Sequence, residues 1–189
     1  MPIFAITMLI VILVLLTLMS KLTLVIVLIG PMGCGKTTIG QKLAIQLGWQ
    51  FYDGDDFHPE SNKRKMAEGI PLDDNDRQPW LETLHEVIIK HLSGERSMIL
   101  ACSALKKKYR DLLGIDQHRV FSVFLHGSFS LLHERIVSRS HEYMAEDLLQ
   151  SQLDTLEEPR TGLTVDISSS PEQICQTIIQ ELLDKQISK

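Results

Sequence analysis

The feature that most constrains this chain is a glycine-rich loop between a continuous apolar run and a helical pattern. The apolar run, residues 22–29, is rich in β-branched side chains and predicts a strand buried on both faces. Residues 30–37 read GPMGCGKT and fill the pattern G-x-x-x-x-G-K-[ST], and the helical pattern of residues 36–47 follows. This order aims backbone N–H groups and a helix dipole at one phosphate group. The segment is therefore expected to bind a nucleoside triphosphate and not to serve only as a tight turn.

Two side chains of this loop carry most of the expected chemistry. Lys36 supplies a positive charge to the β- and γ-phosphates, which makes it a candidate catalytic residue, and the Thr37 hydroxyl is a candidate ligand of Mg²⁺. The residues expected to contact the nucleotide are Gly30, Pro31, Met32, Gly33, Cys34, Gly35, Lys36, Thr37 and Thr38.

The remaining sequence alternates short apolar runs with helical patterns. Strands are predicted over 22–29, 49–53, 97–102, 120–125 and 163–167, with helices between them and a last helix over 171–185. Parallel neighbours need crossover connections, so this alternation predicts a three-layer α/β/α domain with a five-stranded parallel sheet. No repeat or linker divides residues 20–189, which are expected to form one domain.

Charge and cysteine content exclude several classes of protein. The chain has 19 Lys and Arg against 24 Asp and Glu, with no long basic run, so nucleic acid is not an expected partner. Its three cysteines are too widely spaced for a disulfide framework or a common zinc pattern. This usage is typical of a reducing compartment and predicts a cytoplasmic protein.

Residues 1–19 form a separate apolar segment without a charged side chain. Its length just suffices to cross a hydrocarbon core, and Lys21 behind it would keep the following domain in the cytoplasm. The alternative is a dispensable extension, because Met19-Ser20-Lys21 resembles an ordinary soluble amino terminus. Membrane contact is expected only if the segment is a real anchor.

A pair of acidic residues follows the second predicted strand. The third strand ends in Ala101-Cys102-Ser103, without the carboxylate that often holds Mg²⁺ there, whereas Asp53 and Asp55 follow the second strand. Strand carboxyl ends line the ligand crevice of an open parallel sheet, and residues two apart on an extended segment share a face. We interpret Asp53 as a metal ligand and Asp55 as the residue that orients or deprotonates an acceptor hydroxyl. A solvated acidic turn is the alternative.

Four separated blocks resemble the gluconokinases, small kinases related to shikimate and nucleoside monophosphate kinases. They are DGDDFHPESNKRKM at 53–66, GIPLDDNDRQPWL at 69–81, ACSALKKKYRD at 101–111 and LLQSQLDTLE at 148–157. The resemblance implies a nucleoside monophosphate kinase-like fold with a lid. It also implies Mg²⁺-dependent transfer of the ATP γ-phosphoryl group to the 6-hydroxyl of D-gluconate, and it leaves both a monomer and a homodimer open. The alternatives are a shikimate-like kinase and a nucleotide-binding switch without metabolic chemistry.

A sugar acid needs its carboxylate clamped and its hydroxyls hydrogen-bonded. Arg77 fits the carboxylate through a two-pronged contact, with a surface salt bridge to Asp73 or Asp76 as the alternative. His58 is a candidate donor to a sugar hydroxyl, or else a structural residue before Pro59. Two further candidates for the anionic substrate lie four residues apart on a predicted helix, namely Lys106 and Arg110.

The lid is expected between the fourth and fifth strands. Arg135 and Arg139 lie four residues apart there; we expect Arg135 to contact the nucleotide and Arg139 to act on the transferring phosphate. Residues 139–145 read RSHEYMA and depart from the Arg-x-Gly-His-Phe-Met-Pro arrangement common in the gluconokinases. No catalytic role is therefore assigned to His141 or Glu142.

Overall fold

The computed structural model describes residues 23–115, 119–138 and 144–187, with the side chains of 144–146 and 185–187 left aside. The strands are β1 (Val25–Ile29), β2 (Gln50–Asp53), β3 (Met98–Ala101), β4 (Val120–His126) and β5 (Leu163–Asp166). The helices are α1 (Lys36–Leu47), α2 (Glu60–Ala67), α3 (Asp74–Ser93), α4 (Lys107–Leu112), α5 (Phe129–Val137), α6 (Met144–Thr155) and α7 (Pro171–Ile187). A 3₁₀ turn, Gly54–Phe57, follows β2.

The five strands form one parallel sheet in the order β2-β3-β1-β4-β5. Strand β1 is central, and Val25 pairs with Met98 of β3 on one side and with Val120 of β4 on the other. Its central position explains why the predicted continuous apolar run has no polar alternation. The predicted five-stranded parallel sheet is confirmed.

Helices cover both faces of this sheet. Ile26 and Leu28 point to a core shared with α1, α5, α6 and α7. Val25, Val27 and Ile29 point to a core shared with α3 and α4. Every side chain of β1 is fully buried, and each such aliphatic side chain contributes about 1.5–3 kcal/mol of hydrophobic stabilisation. The three-layer α/β/α architecture is confirmed. The glycine loop follows the central strand, β1, and therefore lies at the middle of the sheet edge.

The start of α3 lies two residues before the predicted one because an acidic capping box defines it. The Asp73 carboxylate accepts from the Asp76 N–H at 2.9 Å, and the Asp76 carboxylate accepts from the Asp73 N–H at 3.0 Å. This reciprocal pair fixes the residue at which α3 begins.

Within the described ranges, no helix combines the length and apolarity needed to cross a membrane. The two interpretations of residues 1–19 lie outside the described residues, so both stay predictions. Cys34, Cys102 and Cys175 are all free and buried.

Candidate active site

The glycine loop between β1 and α1 has a conformation that ordinary side chains would oppose. Gly33 has a φ of 78°, and a Cβ added there would lie 2.9 Å from the backbone oxygen of Leu132. Gly35 is the N-cap of α1, and no side chain caps this helix end. The first-turn N–H groups of α1 are therefore available to a phosphate group.

Lys36 folds back over the loop that precedes it. Its Nζ atom donates to the backbone oxygens of Gly30 and Pro31 at 2.9 and 3.0 Å. These two carbonyl groups hold the ammonium group at the mouth of the loop, where the charge faces any phosphate bound by the loop.

Thr37 and Asp53 connect the loop to the carboxyl end of β2. The Thr37 hydroxyl donates to Asp53 Oδ2 at 2.8 Å, while Asp53 Oδ1 accepts from the Asp55 N–H at 3.2 Å. A hydroxyl and a carboxylate at hydrogen-bonding distance are hard oxygen donors of the kind that Mg²⁺ uses beside substrate phosphates. The donor set therefore fits Mg²⁺.

Asp55 lies in the 3₁₀ turn directly after Asp53. Its side chain reaches solvent at the cleft, yet the protein around it is dense enough to desolvate the carboxylate. Burial by this surrounding protein, reinforced by the negative charge of Asp53, raises the pKa of Asp55, and the positive charge of Lys36 opposes the shift. A carboxylate with a raised pKa is a better proton acceptor than an ordinary aspartate.

Helix α3 contacts the turn that carries Asp53 and Asp55 and fixes its position. Trp80 Nε1 donates to the backbone oxygen of Gly54 at 2.7 Å, and the indole is almost completely buried. A Cβ added at Gly54 would lie 2.7 Å from the Ala101 oxygen of β3. Only glycine lets the turn approach β3 this closely, so Gly54 and Trp80 set the position of the acidic pair.

His58 follows the acidic turn and is buried. Its ring stacks on Trp80 with a centroid separation of 4.1 Å, and its Nδ1 atom lies 3.3 Å from Asn62 Nδ2. Burial, assisted by the positive charges of Arg77 and Lys63, lowers the pKa of His58 to about 4. The imidazole is therefore neutral at physiological pH.

Arg77 lies on the first turn of α3 and forms no salt bridge with Asp73 or Asp76. Asp76 instead pairs with Lys65, whose Nζ lies 2.6 Å from Oδ1, and Asp73 is used by the capping box. Arg77 donates to the backbone oxygen of Leu72, and its guanidinium carbon lies 5.8 Å from the centre of the Tyr109 ring. Among the residues described, no carboxylate forms an ion pair with Arg77.

The expectation that Lys106 and Arg110 lie on one face of a helix is wrong. Lys106 is the N-cap of α4, outside the helix, and its Nζ lies 2.9 Å from Asp74 Oδ1. Arg110 is buried and donates to the backbone oxygens of Ala104 and Leu105 at 3.0 and 2.9 Å. Ala104 has a φ of 40°, which disfavours a residue with a Cβ. We therefore assign Arg110 to holding this strained loop, while Lys106 stays at the edge of the cleft.

The carboxylate of Asp74 binds the polar groups around Tyr109. It accepts from Lys106, Lys108 and the Tyr109 hydroxyl, and these three hydrogen bonds hold the pKa of its carboxyl well below the usual range. One carboxylate thus faces two lysines, with Arg77 beside them, and the region keeps a positive excess. Such an excess suits an anionic substrate.

A cavity of about 200 Å³ lies on the other side of the glycine loop. Arg135 of α5 borders it and donates from Nη2 to the Ile167 backbone oxygen at 2.7 Å. The cavity is bounded by the loop, α5 and the segment between β5 and α7, namely by Cys34, Gly35, Thr38, Ile39, Arg135, Ser138, Ser169, Pro171 and Ile174. Arg139, with its predicted role at the transferring phosphate, lies outside the described residues, as do His141 and Glu142.

The sequence analysis missed a contact between the glycine loop and α6. The Met32 N–H donates to Gln152 Oε1 at 2.7 Å, which joins the loop to the helix that follows the predicted lid. Gln152 belongs to a block that carried the gluconokinase resemblance, but a separation of 120 residues gives no local signal for this hydrogen bond. Asn62 was missed for another reason: it lies only four residues from His58, but its second contact is with the backbone oxygen of Asp76, fourteen residues away.

The fold and the site define a P-loop kinase that acts on a small molecule. The sequence model of the shikimate kinase family matches residues 32–185. The chain is 40% identical over 176 residues to a probable gluconokinase of Mus musculus, which covers 84% of this chain and 91% of that protein. It is 38% identical over 161 residues to the thermosensitive gluconokinase of Escherichia coli strain K12, covering 81% and 86%. Within the shikimate kinase class, the chain belongs to the gluconokinase family.

Solved structures agree with this membership. A gluconokinase from Sinorhizobium meliloti 1021 superimposes with a TM-score of 0.77 at 38% identity, over 87% of this chain and 95% of the other. The APS kinase of Mycobacterium tuberculosis superimposes with a TM-score of 0.63 at 18% identity, covering 85% and 97%, which shows the shared fold alone.

Proposed function

We propose that this enzyme transfers the γ-phosphoryl group of ATP to the 6-hydroxyl of D-gluconate, with Mg²⁺ as the metal. The observation that carries the proposal is the contact between Thr37 and Asp53, because it brings the phosphate loop against the acidic turn that holds Asp55. A phosphoryl donor and an acceptor hydroxyl bound on the two sides of this contact would meet. Membership of the gluconokinase family supports D-gluconate as the acceptor.

The residues of the loop and turn divide the work of phosphoryl transfer. The loop N–H groups and Lys36 would bind the β- and γ-phosphates and neutralise charge as the phosphoryl group leaves. Thr37 and Asp53 would hold Mg²⁺, which supplies further neutralisation at the phosphates. Asp55 would accept the proton of the 6-hydroxyl, and its raised pKa fits that task.

The acceptor would lie between the acidic turn, α2 and the start of α3. Arg77 is proposed to bind the gluconate carboxylate, because its guanidinium has no acidic partner among the described residues and lies in a region of positive excess. His58 would bind a sugar hydroxyl and Lys106 would add long-range attraction. On the opposite side of the loop, the cavity beside Arg135 is proposed to take the nucleoside of ATP.

The reaction can be tested by identifying the product. Incubation of the enzyme with ATP, Mg²⁺ and uniformly ¹³C-labelled D-gluconate should give a phosphate ester whose phosphorus couples to C6. Lys36→Ala should abolish this signal while leaving the circular dichroism spectrum unchanged, because Lys36 faces the ligand and not the core. A phosphate ester on another carbon, or no ester at all, would contradict the proposal.

Substrate placement can be tested separately on Arg77. Arg77→Ala should raise the KM for gluconate roughly tenfold or more without changing the KM for ATP, because a charge-assisted hydrogen bond is lost. Arg64→Ala removes an equal charge from an exposed position on α2 and serves as the control. A change in the KM for ATP alone would show that Arg77 serves the other ligand.

A further inference from the structure

The buried side chain of Asn62 contacts two groups of different character. Its Nδ2 atom lies 2.7 Å from the backbone oxygen of Asp76 and 3.3 Å from Nδ1 of His58. A backbone oxygen can only accept, so the Asp76 contact requires the amide nitrogen of Asn62, and not its oxygen, on this side. An amide nitrogen carries two hydrogens, one for each partner.

This orientation determines the protonation of His58. Since Asn62 donates to Nδ1, that atom must carry a lone pair, and the proton of the neutral ring lies on Nε2. A doubly protonated ring would set an N–H of His58 against an N–H of Asn62. The charged groups that act on the ring are Lys63 from α2 and Arg77 from α3, and both also disfavour the imidazolium.

The opposite ring nitrogen is open to a ligand. One buried side-chain nitrogen or oxygen atom lacks a hydrogen-bond partner in the described part of the chain, and it is Nδ1 of His85. No described group bonds Nε2 of His58, so this atom reaches solvent although the residue is 6% exposed. Trp80 packs on one face of the ring and Asn62 contacts Nδ1, so both contacts favour this ring orientation. The Nε2–H group therefore points outward in a fixed direction.

We propose that Asn62 is a positioning residue that holds His58 as the Nε2–H tautomer, so that His58 donates a hydrogen bond to an oxygen of the acceptor. This inference rests on the proposed function for the identity of the acceptor, but the tautomer itself is a property of the free enzyme. The donor is permanent across the physiological pH range because the ring does not titrate there.

The tautomer can be measured without any substrate. Long-range ¹H–¹⁵N spectra of the free enzyme at pH 7 should show His58 with a protonated Nε2 and an unprotonated Nδ1. Addition of D-gluconate should shift the Nε2 resonance, whereas ATP alone should not. A protonated Nδ1 in the free wild-type enzyme would overturn the proposal, whatever the substrate is. The correct tautomer with no response to gluconate would overturn the contact with the acceptor.

Asn62→Asp gives a readout that a merely structural role would not produce. The carboxylate can only accept, so it draws the ring proton to Nδ1 and raises the pKa of His58. At pH 8 the neutral ring then lacks its Nε2–H, and kcat/KM for gluconate should fall roughly tenfold relative to wild type. Near pH 6 the ring gains a second proton, which restores the Nε2–H, so the ratio of variant to wild-type kcat/KM should rise as the pH falls.

Asn75→Asp is the matched control, since it adds the same charge at an exposed position in the first turn of α3. Its ratio to wild type should not change between pH 6 and 8. A flat ratio for Asn62→Asp, in a variant whose spectra show the flipped tautomer, would overturn the proposal. If Asn62→Asp does not fold, the wild-type titration with gluconate decides the question alone. If the proposed function is wrong, the free enzyme will still show the Nε2–H tautomer of His58, but no phosphate ester will form from gluconate.

Discussion

The hydroxyl of Thr37 donates a hydrogen bond to Asp53 Oδ2 at 2.8 Å, across the boundary between the phosphate loop and the end of β2. The two residues come from neighbouring segments of the crevice at the carboxyl edge of the sheet, where open α/β folds bind their ligands. Their contact places a hydroxyl and a carboxylate side by side at the first turn of α1.

Removing the charge of Asp53 should weaken the binding of Mg²⁺. Asp53→Asn keeps the size of the side chain and can still accept from Thr37, but a neutral amide is a poorer ligand of Mg²⁺. We expect the Mg²⁺ concentration for half-maximal activity to rise roughly tenfold or more. Asp56→Asn, at the exposed neighbouring position, should leave the Mg²⁺ requirement unchanged. An unchanged requirement in Asp53→Asn would exclude Asp53 from the metal site.

Asp55→Asn should separate activity from stability. Loss of the proton acceptor should lower kcat by roughly 10²-fold or more, with little change in ATP affinity. The pKa of Asp55 is raised in the folded state, so its contribution to stability is greatest at low pH and is lost as the pH rises through the folded pKa. At pH 7 the neutral variant should therefore have a Tm at or above that of wild type. A variant that loses both activity and several degrees of Tm would indicate a structural role instead.

The pH profile of the wild-type enzyme should also show the raised pKa of Asp55. Asp55 must be ionised to accept a proton, so kcat/KM should decline on the acid side with an apparent pKa above that of an ordinary aspartate. Because Lys36 opposes the upward shift of the pKa, Lys36→Met should raise the pKa of Asp55 further. Carboxyl ¹³C spectra of the free variant, recorded against pH, measure this without activity. A downward shift would contradict the arrangement of charges described above.

Gln152 should hold the phosphate loop in its binding conformation. Gln152→Ala frees the Met32 N–H, so hydrogen exchange at Met32 should accelerate, and kcat/KM for ATP should fall roughly fivefold for one lost hydrogen bond. Gln150→Ala on the same helix removes a hydrogen bond to exposed Asp154 and is the matched control. Equal exchange rates at Met32 in the two variants would show that the contact with Gln152 does not stabilise the loop.

The apolar segment before the domain should contribute nothing to catalysis. The described sheet begins with β1 at Val25, and its two cores are built from residues after that point, so we expect a chain that begins at Met19 to fold and retain full activity. Comparing specific activity and membrane sedimentation of the two forms measures this. Activity confined to the longer form would mean that residues 1–18 complete the core.

Local patterns were sufficient to predict the elements of this fold. Helix α1 begins at Lys36 and ends at Leu47 as predicted, because a glycine loop and Gly48 mark its two ends in sequence. Arg110 could not be assigned in this way. Spacing alone placed it on one helix face with Lys106, whereas its guanidinium donates to the backbone oxygens of Ala104 and Leu105 beside the strained turn.

In the candidate site, too, some residues could be predicted from local sequence, whereas contacts between distant residues could not. Asp53 and Asp55 could be placed at the crevice because the end of a strand is a local signal. Gln152 lies 120 residues from Met32, so its contact with the loop depends on which elements pack together. Asn62 lies only four residues from His58, but its amide is oriented by the backbone oxygen of Asp76, fourteen residues away. Side-chain hydrogen bonds between distant segments leave no periodic pattern in a sequence.

The most direct test of the account is the specificity of ADP release. A coupled assay with ATP and Mg²⁺ should compare D-gluconate with D-glucose, which lacks the carboxylate, and with shikimate, which has a carboxylate on a ring. We expect kcat/KM for D-gluconate to exceed that for either compound by at least about 10²-fold. Arg77 has no acidic partner among the described residues and His58 is held in place, so both need matching groups on the acceptor. A preference for shikimate, or ADP release that is independent of any acceptor, would contradict the account.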